Sequence, residues 1–304
     1  MRKTALVIIN QHTAKQKLKN ELLNVLDVLT KGGYDCLVRP TQRAGDAKSY
    51  VEKNASPYDL LVCVGGDGTL NEVVTGLCNV PAENRPAVGY IPAGTTNDFA
   101  ASIGLPTEPV AAARMILESA PRKMDCGRVG ESIFCYIASF GAFTDVSYET
   151  PQPLKNTFGH FAYILEGASR LGDIRPVRMR FTSENGTIED DFIFGAFANT
   201  LSIGGVIHLS PEMVDLSDGK HEYLLVKMPK NPVELHEAAQ ELRRLQTHTS
   251  DARGMKYVYF GSFSKGEIET GGNDIAWSID GERLLTGGRV SIENLHAAYS
   301  LCAG

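Results

Sequence analysis

Nowhere in the 304 residues does an apolar run approach the ~20 residues that a membrane-spanning helix needs. The six cysteines, at 36, 63, 78, 126, 135 and 302, form no C-x-x-C pair, and the seven histidines show no H-x-x-x-H spacing. A disulfide scaffold and a transition-metal site are therefore not indicated. Several cysteines lie inside apolar runs and read as buried thiols of a reducing, cytoplasmic compartment. Acidic residues outnumber basic ones 36 to 30, giving a formal net charge of −6. That balance speaks against a general nucleic-acid binder, and it requires any membrane contact to be local. The opening stretch "MRKTALVIINQHTAK" is basic and then apolar. Its apolar run is short and no small-residue cleavage site follows, so it reads as a first strand rather than a leader. Internal repeats and low-complexity linkers are absent.

What is present is a change of style near residue 122. Before it, strand-like and helix-like stretches alternate. "TALVIIN" (4–10), "YDCLVRP" (34–40), "YDLLVCVG" (58–65) and "PAVGYIPAG" (86–94) read as strands. Between and after them, 16–33, 44–54, 69–77 and 108–119 carry apolar residues at helical spacing. This alternation predicts an α/β domain with a doubly wound parallel sheet. After residue 122 the runs are short with period-two alternation. In "VRMRF", Val177, Met179 and Phe181 alternate with Arg178 and Arg180. These runs predict a β-rich, antiparallel second domain of β-sandwich type. Two helical stretches interrupt it, near 158–171 and 231–247. The closing segment "GGRVSIENLHAAYSLCAG" is compatible with packing back on the first domain.

The chemistry concentrates at "VCVGGDGTLNEVVTGL", residues 62–77, where a buried strand turns into an amphipathic helix. Gly65, Gly66 and Gly68 permit close approach of another backbone or a phosphate. A helix start offers N–H groups and partial positive charge. In open α/β sheets ligands sit at the carboxyl ends of strands, where this turn lies. The familiar phosphate loops do not fit. There is no G-x-x-x-x-G-K-[ST], Asn71 breaks the G-x-G-x-x-G pattern, and H-R-D and D-F-G are missing. A second constellation, "IPAGTTNDFAASIGLP" (91–106), gathers Thr95, Thr96, Asn97 and Asp98 at a helix start. Simple helix capping would explain those four. Two glycine turns with an acid each, on separate strands, fit a shared phosphate–metal pocket better, because Mg²⁺ takes one or two carboxylates plus phosphates.

G-G-D-G-T (65–69) with P-x-G-T-x-N-D-F (92–99) resembles the soluble bacterial diacylglycerol kinase and related lipid kinase family, kin to sphingosine and ceramide kinases. "MDCG" (124–127), "GGVIHLSPEMVDLSDGKHEYLLV" (204–226) and "IDGER" (279–283) extend the resemblance through most of the chain. It implies a two-domain lipid kinase fold. Residues 1–122 with 288–304 would form the nucleotide-binding domain, and 123–287 the lipid-substrate domain. It implies ATP and Mg²⁺. Gly65, Gly66, Gly68 and Thr69 would hold the ATP phosphates. Asn10, Thr41, Asn71, Gly94, Thr95 and Asn97 complete the implied nucleotide contacts. Asp67, Asp98 and Asp125 would form an acidic network at the nucleotide's Mg²⁺. Glu282 would be the general base, with Asp67 as its rival, and a structural Mg²⁺ would use Asp215, Asp218 and Lys220.

The implied reaction transfers the γ-phosphate of ATP to a lipid hydroxyl, with diacylglycerol leading and phosphatidylglycerol, monoacylglycerol or a sphingoid base open. The resemblance implies a homodimer as well, and a cytoplasmic enzyme acting on a lipid is expected to make peripheral contact with the inner face of the membrane. The stretch 158–172 with Arg170, Arg175, Arg178 and Arg180 is a candidate docking face, or else an ordinary core helix with solvated arginines. Two other classes stand as alternatives: a nicotinamide adenine dinucleotide kinase, and a non-catalytic nucleotide-binding regulator.

Overall fold

A computed structural model of the chain describes residues 2–11, 16–95, 97–141, 175–200, 202–203, 207–208, 214–247 and 254–303. The helical reading near 158–171, with Arg170, lies outside them, as does Thr96. The chain forms two units. One comprises Met1–Asp125 and His296–Gly304, the other Cys126–Leu295.

In the first unit, β1 (Lys3–Ile9), β2 (Tyr34–Pro40), β3 (Leu60–Gly65) and β4 (Ala87–Pro92) alternate with α1 (Gln16–Lys31), α2 (Asp46–Asn54) and α3 (Asp67–Cys78). A short α4 (Asp98–Ser102) and then α5 (Pro109–Glu118) follow. β1 pairs in parallel with β2 on one side and β3 on the other, and β3 pairs with β4. A long final strand, Arg289–Cys302, delivers Leu301 beside Val88 of β4, again in parallel. The spatial order is therefore β2, β1, β3, β4 and the end of that final strand.

β1, β3 and β4 are covered on both faces, which is why they read as unbroken apolar runs, while the edge strand β2 is only partly buried. Ala5, Val7, Ile9, Leu60, Val62 and Val64 pack against Val25 and Leu29 of α1 and Ala112, Ala113 and Ile116 of α5. The alternate residues Leu6, Ile8, Leu61 and Cys63 are equally buried. α1 ends where Gly33 takes φ +93°, a left-handed stop that suits glycine. All six cysteines are free thiols.

The second unit is antiparallel and β-rich. Its strands are the end of β5 (Pro121–Val129), β6 (Ser132–Phe134), β7 (Ile137–Gly141), β8 (Val177–Ser183), β9 (Gly186–Ala198), β10 (Ser202–Ile203), β11 (Ile207–His208), β12 (His221–Lys227), β13 (Val258–Phe263), β14 (Lys265–Glu269), β15 (Ile275–Ile279), β16 (Glu282–Thr286) and the first part of β17 (Arg289–Cys302). β9 is the organising strand, pairing with β7, β8 and β12. Its core is aromatic. Phe181 meets Phe197 and Phe263 edge-on at centroid distances of 5.1 and 5.3 Å, and Phe140 meets Trp277 at 5.3 Å. A sixteen-residue helix, α6 (Pro232–Thr247), is tied to the start of β13 by Glu241. That buried carboxylate accepts from the N–H groups of Lys256, Tyr257 and Val258 at 2.9, 2.9 and 3.0 Å.

The alternation in "VRMRF" is realised in space. Met179 and Phe181 are buried in the core and Arg178 and Arg180 face out. Both arginines bond to Glu189 of the neighbouring strand, at 2.8 and 2.7 Å. Their charge is matched on the strand surface, which weakens the reading of these two as a docking patch. Among the described residues no helix is long and apolar enough to cross a membrane.

Candidate active site

The order β2–β1–β3–β4 reverses direction between β1 and β3. In open α/β sheets ligands bind beyond the carboxyl ends of the strands at such a switch point. The residues there are Asn10 after β1, Thr41 after β2, Gly65 and Gly66 at and after β3, and Ala93 and Gly94 after β4. Successive backbone bonds hold the ends level. Asn10 N–H donates to Val64 C=O at 3.0 Å, Thr41 N–H to Ile9 C=O at 2.8 Å, and Ala93 N–H to Gly65 C=O at 2.8 Å. Asn10 Nδ2 also donates to Thr69 Oγ1 at 3.0 Å, joining β1 to the first turn of α3.

The glycine turn is tighter than its sequence indicates. Helix α3 begins at Asp67, with Gly66 as its extended N-cap, so Asp67 and Gly68 belong to the first helical turn. A carboxylate is favourable there, against the positive end of the helix. Steric demand explains the glycines. A Cβ on Gly65 would stand 2.6 Å from the Thr69 side chain, and one on Gly94 would stand 2.6 Å from Gly66 Cα and 2.8 Å from Asn97 Oδ1. The two glycine turns, 28 residues apart in sequence, thus lie backbone against backbone.

Asp67 ties them together. Its carboxylate accepts from the N–H groups of Asp98 at 2.9 Å and Phe99 at 3.3 Å, capping the short helix α4. Asn97, in the left-handed region at φ 54°, closes the second turn on itself. Gly94 N–H donates to Asn97 Oδ1 at 2.8 Å and Asn97 Nδ2 donates to Gly94 C=O at 3.0 Å. Burial raises the Asp98 carboxyl above the ordinary aspartate range. Thr95 is exposed beside them. Asn71, one turn into α3, accepts from Thr75 Oγ1 at 3.4 Å. Glu72 serves a neighbour instead: its carboxylate accepts from Gly45 N–H at 2.7 Å and Ala47 N–H at 3.1 Å, at the start of α2.

The structure thus gathers Asn10, Gly65, Gly66, Asp67, Thr69, Gly94, Asn97 and Asp98 into one bonded cluster, with Thr41 at the next strand end. Asp125 has a different set of partners. It is fully buried on β5, and its Oδ1 accepts from Ala297 N–H at 2.7 Å and faces His296 Nδ1 at 3.1 Å. In the second unit, Glu282 is exposed at the first position of β16.

The loop before β12 carries the remaining assigned residues. Asp215 accepts from Ser217 N–H at 3.0 Å, and Asp218 from Lys220 N–H at 2.9 Å. Lys220 C=O accepts from Asn294 Nδ2 at 2.9 Å. Close by is a group that motif reading missed. Glu222 is 4% exposed, and its Oε2 is buried with no hydrogen-bond partner among the described residues. Burial, then the negative charge of Asp218 and of Asp215, pushes its carboxyl up to about 8. A buried carboxylate oxygen in the field of two further acidic residues is an environment that a divalent cation relieves. The donor set therefore fits Mg²⁺. Among the described residues no three His, Cys, Asp or Glu side chains converge as a metal cluster by themselves, so backbone carbonyls would have to complete the set.

Glycine turns at the switch point of a doubly wound sheet are where α/β proteins commonly accept anions. Comparison with known proteins specifies the site further. The family model described as the diacylglycerol kinase catalytic domain matches residues 4–129. The chain is 36% identical over 228 residues to a diacylglycerol kinase of Staphylococcus haemolyticus (strain JCSC1435), covering 75% of this chain and 68% of that protein. It is 35% identical over 228 residues to a diacylglycerol kinase of Bacillus subtilis (strain 168), covering 74% of each. Two crystal structures from Bacillus anthracis str. Sterne share the fold. One superposes with a TM-score of 0.81 at 24% identity over 100% of this chain and 97% of the other. The second, a diacylglycerol kinase, gives 0.74 at 22% identity over the same shares. The chain belongs to the bacterial diacylglycerol kinase family, and it is an enzyme of the lipid kinase type.

Proposed function

We propose that the enzyme transfers the γ-phosphoryl group of ATP to the free hydroxyl of diacylglycerol, giving phosphatidic acid and ADP. One observation carries the nucleotide half of this reading. Gly66 and Gly94 pack backbone against backbone at the strand ends, which sets the two glycine turns and their acids side by side at the N-terminus of α3. Phosphoryl transfer asks for positioning and charge neutralisation more than for covalent help. Backbone N–H groups of the first turn of α3, with Thr69, Thr41 and Thr95, would hold the nucleotide. Asp67, Asp98 and Asp125 supply the acidic network. Mg²⁺ bound with the nucleotide neutralises phosphate charge, and a second, structural Mg²⁺ would use Asp215, Asp218 and Lys220.

The acceptor hydroxyl must lose its proton as its oxygen attacks phosphorus and the bond to the ADP oxygen breaks. Glu282 is assigned that proton in preference to Asp67. Both oxygens of Asp67 already accept backbone N–H groups, whereas Glu282 is exposed. Diacylglycerol is preferred over other lipids because both relatives above are diacylglycerol kinases.

The test is transfer from labelled ATP across a panel of diacylglycerol, phosphatidylglycerol, a sphingoid base and nicotinamide adenine dinucleotide. Phosphatidic acid as the main product is expected, with turnover lost in Asp67→Ala while lipid binding persists. Phosphorylation of the dinucleotide, or of no acceptor at all, overturns the proposal. Sedimentation with vesicles of neutral and anionic lipid tests peripheral membrane contact, and light scattering tests the homodimer.

A further inference from the structure

Strands β15 and β16 are joined by two residues, Asp280 and Gly281, flanked by the paired residues Ile279 and Glu282. Their φ angles are +46° and +88°, as a type I′ hairpin turn requires. Asparagine serves such a turn as well as aspartate does, so the turn alone does not call for a carboxylate. Yet Asp280 is 3% exposed, and burying a carboxylate is costly unless it is fully bonded.

It is bonded to three consecutive backbone N–H groups. Asp280 Oδ2 accepts from Cys135 at 2.5 Å, and Oδ1 from Tyr136 at 3.1 Å and Ile137 at 3.0 Å. Its own N–H donates to Ile137 C=O at 2.9 Å. These partners connect β6 to β7, and β7 is itself the neighbour of β15. Charge-assisted bonds of this kind are short and strong. The hairpin tip is therefore pinned at four points, two residues before Glu282.

We infer that Asp280 is the positioning residue for Glu282: by clamping the hairpin tip to the β6–β7 connection, it fixes where the acceptor-activating carboxylate stands. The inference rests on Glu282 being the base, as proposed above. The experiment compares Asp280→Asn, Glu282→Gln and the double variant of the full chain. Steady-state assays with labelled ATP and diacylglycerol are combined with thermal unfolding. Asparagine keeps the turn but replaces one acceptor oxygen with an N–H₂ that faces an N–H. A displacement of order 1 Å at a reacting group costs about 10²-fold. Asp280→Asn is thus expected to lower kcat by about 10–10²-fold, with KM for ATP unchanged within about twofold. In the Glu282→Gln background it causes no further fall, because there is no base left to misplace.

Gly281→Ala is the second variant, in case Asp280→Asn does not fold. It strains the turn at φ +88° with no atom within 4 Å of the new Cβ, and leaves the carboxylate intact. Its loss of kcat should vanish in the same background. Losses that multiply with Glu282→Gln overturn the inference and mark Asp280 as purely structural, as does wild-type kcat in Asp280→Asn. Wild-type turnover in Glu282→Gln alone overturns the base assignment itself, and is read without reference to Asp280.

Discussion

Gly94→Ala is the sharpest perturbation of the site. The added methyl would sit 2.6 Å from Gly66 Cα, where carbon atoms ordinarily rest ~3.5–4.0 Å apart. No side chain can rotate away, since the obstacle is backbone, so one loop must retreat by about 1 Å. Overpacking of this sort costs roughly 1–3 kcal/mol. At roughly 2–4 °C per kcal/mol for a protein of this size, the thermal midpoint should fall by several degrees. Retreat of Gly66 also drags the N-terminus of α3, and a displacement of that size at a reacting centre costs about 10²-fold in transfer rate. The assay is scanning calorimetry beside initial rates at saturating ATP.

Gly104→Ala is the matched control. Gly104 has φ +71° but no atom within 4 Å of a Cβ, so it should lose about 1–2 kcal/mol to backbone strain and keep wild-type turnover. If Gly94→Ala behaves like Gly104→Ala in both readouts, the loop-against-loop geometry at the strand ends is wrong.

Glu241→Ala leaves three N–H groups at the start of β13 without their acceptor, that of Val258 buried and the other two partly so, and should cost roughly 2–3 kcal/mol in urea unfolding; a change under ~1 kcal/mol contradicts that anchoring role. Glu72→Ala removes the acceptor at the head of α2 and should cost about 1 kcal/mol, with turnover near wild type. A collapse of turnover in that variant would move Glu72 into the site. Mg²⁺ added without nucleotide should raise the thermal midpoint, since a hundredfold excess over Kd is worth about 2.7 kcal/mol. Asp218→Asn should lose most of that gain, and an unchanged response in the variant argues against the assigned ligand.

Much of the fold is legible in local pattern. The apolar runs at 4–10, 58–65 and 86–94 are parallel strands that need no alternation because both faces are buried, whereas 34–40 forms the partly exposed edge strand. "VRMRF" alternates because only one of its faces is buried. Gly33 marks the end of α1 because few other residues accept its backbone angles. The site was legible as far as two glycine turns and their acids. What the acids touch was not. Asp67 caps α4 across 31 residues, Asp280 reaches amides about 144 residues away, and Asp125 meets Ala297 across 172. Such bonds depend on which distant backbone amides the topology delivers, and no periodicity encodes that. The D-G pair at 280–281 was a readable hairpin signal, but the burial of its carboxylate was not. Glu222 was hidden for the same reason: its sequence neighbours do not reveal that its Oε2 lacks a partner among the described residues.

The chain leaves the first unit after Asp125 and rejoins it at His296, and Asp125 is the residue that receives the returning strand. A fragment stopping at residue 129, where the catalytic-domain match ends, would strip that carboxylate of its amide and bare the flank of β4. On the ribosome the same arrangement imposes a delay. The first unit, although most of it is made before the second, closes only once the segment beginning at His296 has been synthesised.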